Sequence, residues 1–203
     1  MVFSSCSLLG PDVPQRAVRI KALVDLPFRN RNPRWQDEAR GLIEAASDYY
    51  EREFDIRLLT QTVSPWPEGE RIPSTPAMLA KLQNDFPVQA KNHDYDLIVA
   101  FTAESTSRYL VAGRPRVDRI GGCAQGLGNY IVAPMNAVFH YEGPNAEPTM
   151  EVMTLVHELG HVFGAEHVND THSIMHEDFG YRTEFDAKNR AIIQKNRTCP
   201  FAK

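Results

Sequence analysis

The eleven residues His157-Glu158-Leu159-Gly160-His161-Val162-Phe163-Gly164-Ala165-Glu166-His167 constrain this chain more than any other stretch in it. On a helix, residues four apart project from the same face one turn apart, so His157 and His161 can both present a ring nitrogen to one ion. Glu158 sits one step round from His157, within reach of a water on that ion, and is the candidate general base. Gly164 can adopt positive φ at little cost and is read as the turn that ends the helix. That turn can bring His167 back as a third ligand. Three neutral imidazoles suit Zn2+, and three protein ligands leave a fourth position for water or substrate, which is the catalytic arrangement rather than the structural one. A bare His-Glu-x-x-His is a weak signal; the form extended by Gly164 and His167 is a specific one.

The rest of the chain reads as a scaffold for this stretch. Its 203 residues suffice for one domain with a real core; residues 15–203 are assigned to a catalytic domain and 1–14 to an N-terminal extension. Lys plus Arg number 22 against 26 Asp plus Glu, a net charge of −4, so no global basic field attracts phosphate backbones and nucleic acid is not an expected partner. The local basic clusters at 29–34 and 114–119 are interrupted by Pro, Asn or Asp and read as solvated loops. No stretch is apolar enough over 18 residues to span a membrane. The short start ending in Cys6 leaves two readings, a trimmed export signal with a lipid anchor on Cys6 or an incidental cysteine.

Hydrophobic periodicity places the elements. Residues 17–25 alternate as a first strand, 35–53 carry apolar residues at helical spacing, and 54–63 alternate again before Pro65-Trp66-Pro67. Ser74 or Thr75 caps a second helix that closes before Pro87, and 94–101 is an apolar run fit for a central strand. This strand and helix alternation predicts a largely parallel α/β sheet. Residues 114–120 and 130–133 are then expected as two short strands about the turn containing Gly121, Gly122, Gly126 and Gly128, which lacks the Lys-Ser/Thr of a phosphate loop. The motif helix follows from Thr149, and a last helix is expected over 185–193.

Together with Ser173-Ile174-Met175-His176, the eleven residues resemble the signature of the metzincin zinc peptidases, tightly at these positions and loosely elsewhere. The resemblance implies that His157, His161 and His167 bind zinc, that Glu158 is the base, and that Met175 lies beneath the metal as a packing floor without binding it. It implies an α+β zincin-like fold: a twisted mixed sheet of about five strands, an antiparallel edge strand near Val117 to Ile120 that pairs with extended substrate, an active-site helix and a C-terminal helix. It also suggests a Cys123–Cys199 bridge, the alternative being two buried free thiols in a reducing compartment. Val168 after the third histidine, and Glu177 where a tyrosine follows in some members, leave the subfamily open. Tyr181, His140, His172 and His176 read as loop residues.

The expected function is a zinc-dependent endopeptidase acting on protein or peptide in extended conformation, as a monomer, secreted or in the cell envelope (extracellular or periplasmic). Two alternatives stand beside it: an inactive zinc-binding interaction module of the same fold, and a zinc hydrolase of a non-protein amide or ester. Glu158 favours the enzyme, because a pure binding site has no need of a base.

Overall fold

The computed structural model describes residues 16–66, 74–87, 94–103, 115–135, 138–178 and 180–202. Its elements are β1 (Arg16–Val24), α1 (Leu26–Arg31), α2 (Trp35–Phe54), β2 (Ile56–Pro65), α3 (Thr75–Asp85), β3 (Leu97–Thr102), β4 (Tyr130–Pro134), α4 (Met150–Val162) and α5 (Ala187–Asn196). The four strands form one sheet in the order β2-β1-β3-β4, every neighbouring pair parallel.

Side chains alternate across a strand, and the two faces of this sheet are sorted accordingly. Val18, Ile20, Ala22, Val24, Val99, Phe101, Ile131 and Ala133 join one core with α2 and α4. Leu23, Ile98, Ala100, Tyr130 and Val132 join a second with Trp66, Met78 and Leu82, which puts α3 on the other face. Being covered on both sides is why β3 is apolar at nearly every position. Tyr50 ties the two helices of the larger core by donating its hydroxyl to the carbonyl of Val156 (3.0 Å).

Three local differences from the sequence expectation have simple causes. Residues 29–31, part of the cluster read as a solvated loop, lie in α1: Asp25 accepts from the Phe28 N–H (2.8 Å), and Pro27 occupies the first turn, where no N–H is required. The second helix runs on to Phe54 and is closed by Asp55 in the left-handed conformation (φ 57°), so β2 starts two residues later than expected. Among the described residues the sheet is four-stranded and parallel, where about five strands and a mixed sheet were expected. Among the described residues, the expected antiparallel edge is a single bridge, Val117 with Ile131. On one side the next ladder donor, the Arg116 N–H, is given to Glu158 Oε2 (2.8 Å). On the other, Asp118 Oδ1 accepts the N–H groups of Asn129 (2.9 Å) and Tyr130 (3.0 Å), taking the Tyr130 donor that a longer ladder would use.

The glycine-rich strip turns from this bridge onto the end of α4. Gly121 donates to the carbonyl of His161 (2.9 Å), which also accepts from Gly164 N–H (3.0 Å), and Gly128 donates to that of Val162 (3.4 Å), at the end of the helix where carbonyls lack intrahelical partners. A side chain at Gly121 would place Cβ only 1.9 Å from the Val162 oxygen, so the approach requires glycine. The same strip binds the C-terminal tail through Leu127 N–H to Pro200 O (2.9 Å), Ala202 N–H to Leu127 O (3.0 Å) and a disulfide between Cys123 and Cys199. Residues 1–14, and Cys6 with them, lie outside the described residues.

Candidate metal centre

Helix α4 starts at Thr149, whose hydroxyl faces the Val152 N–H (3.5 Å), and every residue from Val152 to Val162 is buried. A helix this enclosed holds its side chains in few rotamers. The chain leaves α4 through Gly164 (φ 97°), and the reversal is tight: a Cβ there would stand 2.6 Å from both Asn196 Nδ2 and the Gly121 oxygen. The chain thus turns at Gly164, two residues after the last residue of α4.

Beyond that turn the three motif histidines meet. Nε2 of His157 and His161 are 3.1 Å apart, His161 and His167 3.1 Å, and His157 and His167 3.2 Å. Two rings are oriented from behind by backbone: His157 Nδ1 donates to the Ile174 carbonyl (2.7 Å) and His161 Nδ1 to the Ala165 carbonyl (2.7 Å). With their protons committed there, both turn an Nε2 lone pair toward the other. Lone pairs converging in this way repel, and a cation removes that repulsion. Three nitrogens at an ordinary zinc distance in tetrahedral array would be about 3.3 Å apart, close to the observed spacing. The residues present therefore fit a divalent metal of the zinc type. Burial, joined by neighbouring rings, pushes His157 down to about 3, and burial pushes His161 down to about 4, so both are neutral at pH 7 as ligation requires.

Glu158 is 3% exposed, and burial raises its carboxyl to about 7 against the opposing influence of Arg116. Its Oε2 accepts from the Arg116 backbone N–H (2.8 Å), and Arg116 Nε stands 4.0 Å from Oε1. Arg116 corrects one reading of the sequence: it belongs to the basic cluster assigned to a solvated loop, yet it is 8% exposed and faces the motif helix. In one dimension nothing separates it from its exposed neighbour Arg119.

Met175 is fully buried, with its sulfur against Gly160 on α4. Its segment is fixed by Ile174 N–H to Glu184 O (2.7 Å), Met175 N–H to Ser173 Oγ (3.0 Å) and Val168 N–H to Met175 O (3.0 Å). The carbonyls of Ile174 and Ala165, which aim two of the histidines, escaped sequence reading because a backbone group leaves no residue-type signal. His140, His172 and His176 do not join the histidine cluster, which is the one such group of potential ligands among the described residues. Tyr181 is 45% exposed and donates to Glu147 (3.2 Å). A cavity of about 290 Å³ between α2 and residues 138–149 is lined by none of the three clustered histidines.

The crystal structure of archaemetzincin from Methanopyrus kandleri is similar in fold, with a TM-score of 0.52 and 16% identity over 93% of this chain and 98% of that one. The family model described as Metallo-peptidase family M12 matches residues 14–203. A match of that extent, carried by a chain whose three histidines converge as a metal would require, means that the protein belongs to metallopeptidase family M12 and is a zinc metallopeptidase.

Proposed function

We propose that the protein is an endopeptidase in which His157, His161 and His167 hold Zn2+ and Glu158 is the general base. The observation that carries this reading is the convergence of three ring nitrogens within 3.1–3.2 Å beside a buried carboxylate on the same helix. Bound zinc supplies Lewis acidity, lowering the pKa of a water toward about 7 and polarising a carbonyl. Glu158 would take the proton from the attacking water and return one to the leaving amine. Met175, its sulfur against Gly160, would form a packing floor to the site without supplying a ligand. Gly164 sets the reversal that delivers His167.

The substrate side of the reading rests on the bridge beside β4. Arg116 O and Asp118 N are used toward β4, accepting from Val132 N–H (2.9 Å) and donating to Tyr130 O (3.2 Å). Alternation along an antiparallel ladder turns the N–H and C=O of Val117 to the far side, where an extended peptide can pair with them. The Cys123–Cys199 disulfide supports an oxidising location, secreted or in the cell envelope.

The test is digestion of a proteome-derived peptide library by the wild-type chain, by Glu158→Gln and by wild type with chelator, read by mass spectrometry beside zinc content. Wild type is expected to cleave internal bonds in a chelator-sensitive way, and Glu158→Gln to lose at least about 100-fold in rate while keeping its zinc. A Glu158→Gln protein that cleaves at the wild-type rate would overturn the assignment of the base.

A further inference from the structure

A buried carboxylate needs hydrogen-bond donors and countercharge, and Glu158 draws both from one residue. Among the described residues, its hydrogen bond comes from the Arg116 N–H to Oε2 (2.8 Å), and its ion pair is with Arg116 Nε, 4.0 Å from Oε1. Arg116 in turn has Glu158 as its ion-pair partner, with only 9% of its side chain exposed. Burial works against the guanidinium charge and Glu158 works for it, so the two groups depend on each other.

The backbone of Arg116 is not free to drift. Pro115 precedes it, its carbonyl accepts from Val132 N–H (2.9 Å), and the next residue, Val117, bridges Ile131. The grip on Glu158 therefore originates in the strip beside β4, not in α4, which carries Glu158. Resting on the proposed peptidase function, the same strip offers Val117 to an extended substrate.

We propose that Arg116 is a positioning residue for Glu158: its N–H and its guanidinium hold the two carboxylate oxygens in one orientation, registering the base to the strip that binds substrate. Arg116 acts through Glu158 and does not itself touch the reacting atoms. Its side chain serves orientation and countercharge, so replacing it affects turnover more than substrate binding.

The test uses Arg116→Met and Arg116→Lys in the full chain. Methionine keeps the backbone N–H and an unbranched apolar stem while removing charge and guanidinium donors; lysine restores the charge. Arg116→Met is expected to lower kcat about 10- to 100-fold with KM within about threefold, at unchanged zinc stoichiometry, and Arg116→Lys to recover part of the loss. Crystal structures of wild type and Arg116→Met provide a readout independent of turnover: the carboxylate of Glu158 leaves its wild-type orientation in the variant. A wild-type kcat in Arg116→Met overturns the proposal. So does a loss of kcat accompanied by an equal loss of zinc or of folded protein, or one that lysine does not relieve. Should wild type itself show no zinc-dependent cleavage, the peptidase reading fails separately, and the orientation of Glu158 in the Arg116→Met structure still decides the positioning role.

Discussion

Asp186 shows how single side chains stabilise the ground around the histidine centre. It caps α5 by accepting from the Asn189 N–H (3.0 Å), and its second oxygen accepts from Ser173 Oγ (2.7 Å) and Asn189 Nδ2 (2.8 Å). Ser173 Oγ in turn accepts the Met175 N–H, so this carboxylate links α5 to the segment whose Ile174 carbonyl aims His157. Burial disfavours the ionised form of Asp186, but the donated hydrogen bonds outweigh it and hold the carboxyl below its ordinary value of 3.8. A carboxyl depressed in the folded state contributes stability that is fully present above the unfolded pKa and is lost as pH falls through the folded one. Asp186→Ala is therefore expected to cost about 1–2 kcal/mol at pH 7, the usual worth of a cap. The difference from wild type should narrow once the pH drops below about 3.8. Urea titrations at pH 7 and pH 3 measure it; an equal gap at both pH values would mean that the ionised carboxylate contributes nothing.

At the scale of elements, the exit from α4 decides whether the third histidine arrives. Phe163 N–H still bonds to Leu159 O (3.1 Å), Gly164 then reverses the chain, and Ala165 N–H returns to Gly160 O (2.9 Å), which leaves the Ala165 carbonyl facing His161. Gly164→Ala would combine positive φ on a residue with Cβ with two 2.6 Å contacts to Asn196 and Gly121. Backbone strain and overpacking together are expected to cost about 3 kcal/mol or more and to weaken zinc retention as well. Denaturant titration and zinc content after dialysis measure the two effects; a variant with wild-type values in both would show that the turn does not depend on glycine. This exit was legible in the sequence because ligand spacing, positive φ and a helix end all fall on residues whose types differ from their surroundings. Strand β3 was legible for a similar reason, as an apolar run covered on both faces. By contrast, α1 was hidden by a proline that marks a turn and a first helical turn equally well. The edge strand was overestimated because its pattern does not reveal that the Asp118 side chain takes the next ladder donor. Arg116 could not be told from exposed arginines, since burial of a charge is decided by a partner 42 residues away.

In the whole molecule, the first and last thirds of the chain meet across the motif helix. Helix α2 and α4 share one core with the sheet, while the C-terminal tail returns to the glycine strip that covers the end of α4. Asn196 Nδ2 donates to the Phe163 carbonyl (2.9 Å), and three residues later Cys199 is bonded to Cys123, closing a span of 76 residues. Inside that span lie β4, α4 and all three clustered histidines, so the bond restricts the unfolded chain over the whole candidate metal centre. Loop-closure entropy for such a span corresponds to about 4–5 kcal/mol on the chain-entropy account, and small domains commonly lose 2–5 kcal/mol with a native disulfide. The Cys123→Ser, Cys199→Ser double variant is accordingly expected to unfold at lower denaturant by about that amount, and wild type under reductant to approach it. The loss should also have a location. Amide exchange should rise first in residues 121–128 and 197–202, because among the described residues the strip and the tail there hold each other through two backbone hydrogen bonds besides the disulfide, Leu127 to Pro200 and Ala202 to Leu127. Once the strip loosens, the His161 carbonyl keeps the Gly164 N–H but loses Gly121, and the Val162 carbonyl loses Gly128, so faster exchange at the end of α4 and lower zinc retention should follow in that order. Equal stability of the oxidised and reduced protein, or exchange that rises uniformly along the chain, would show that the tail is held by packing alone.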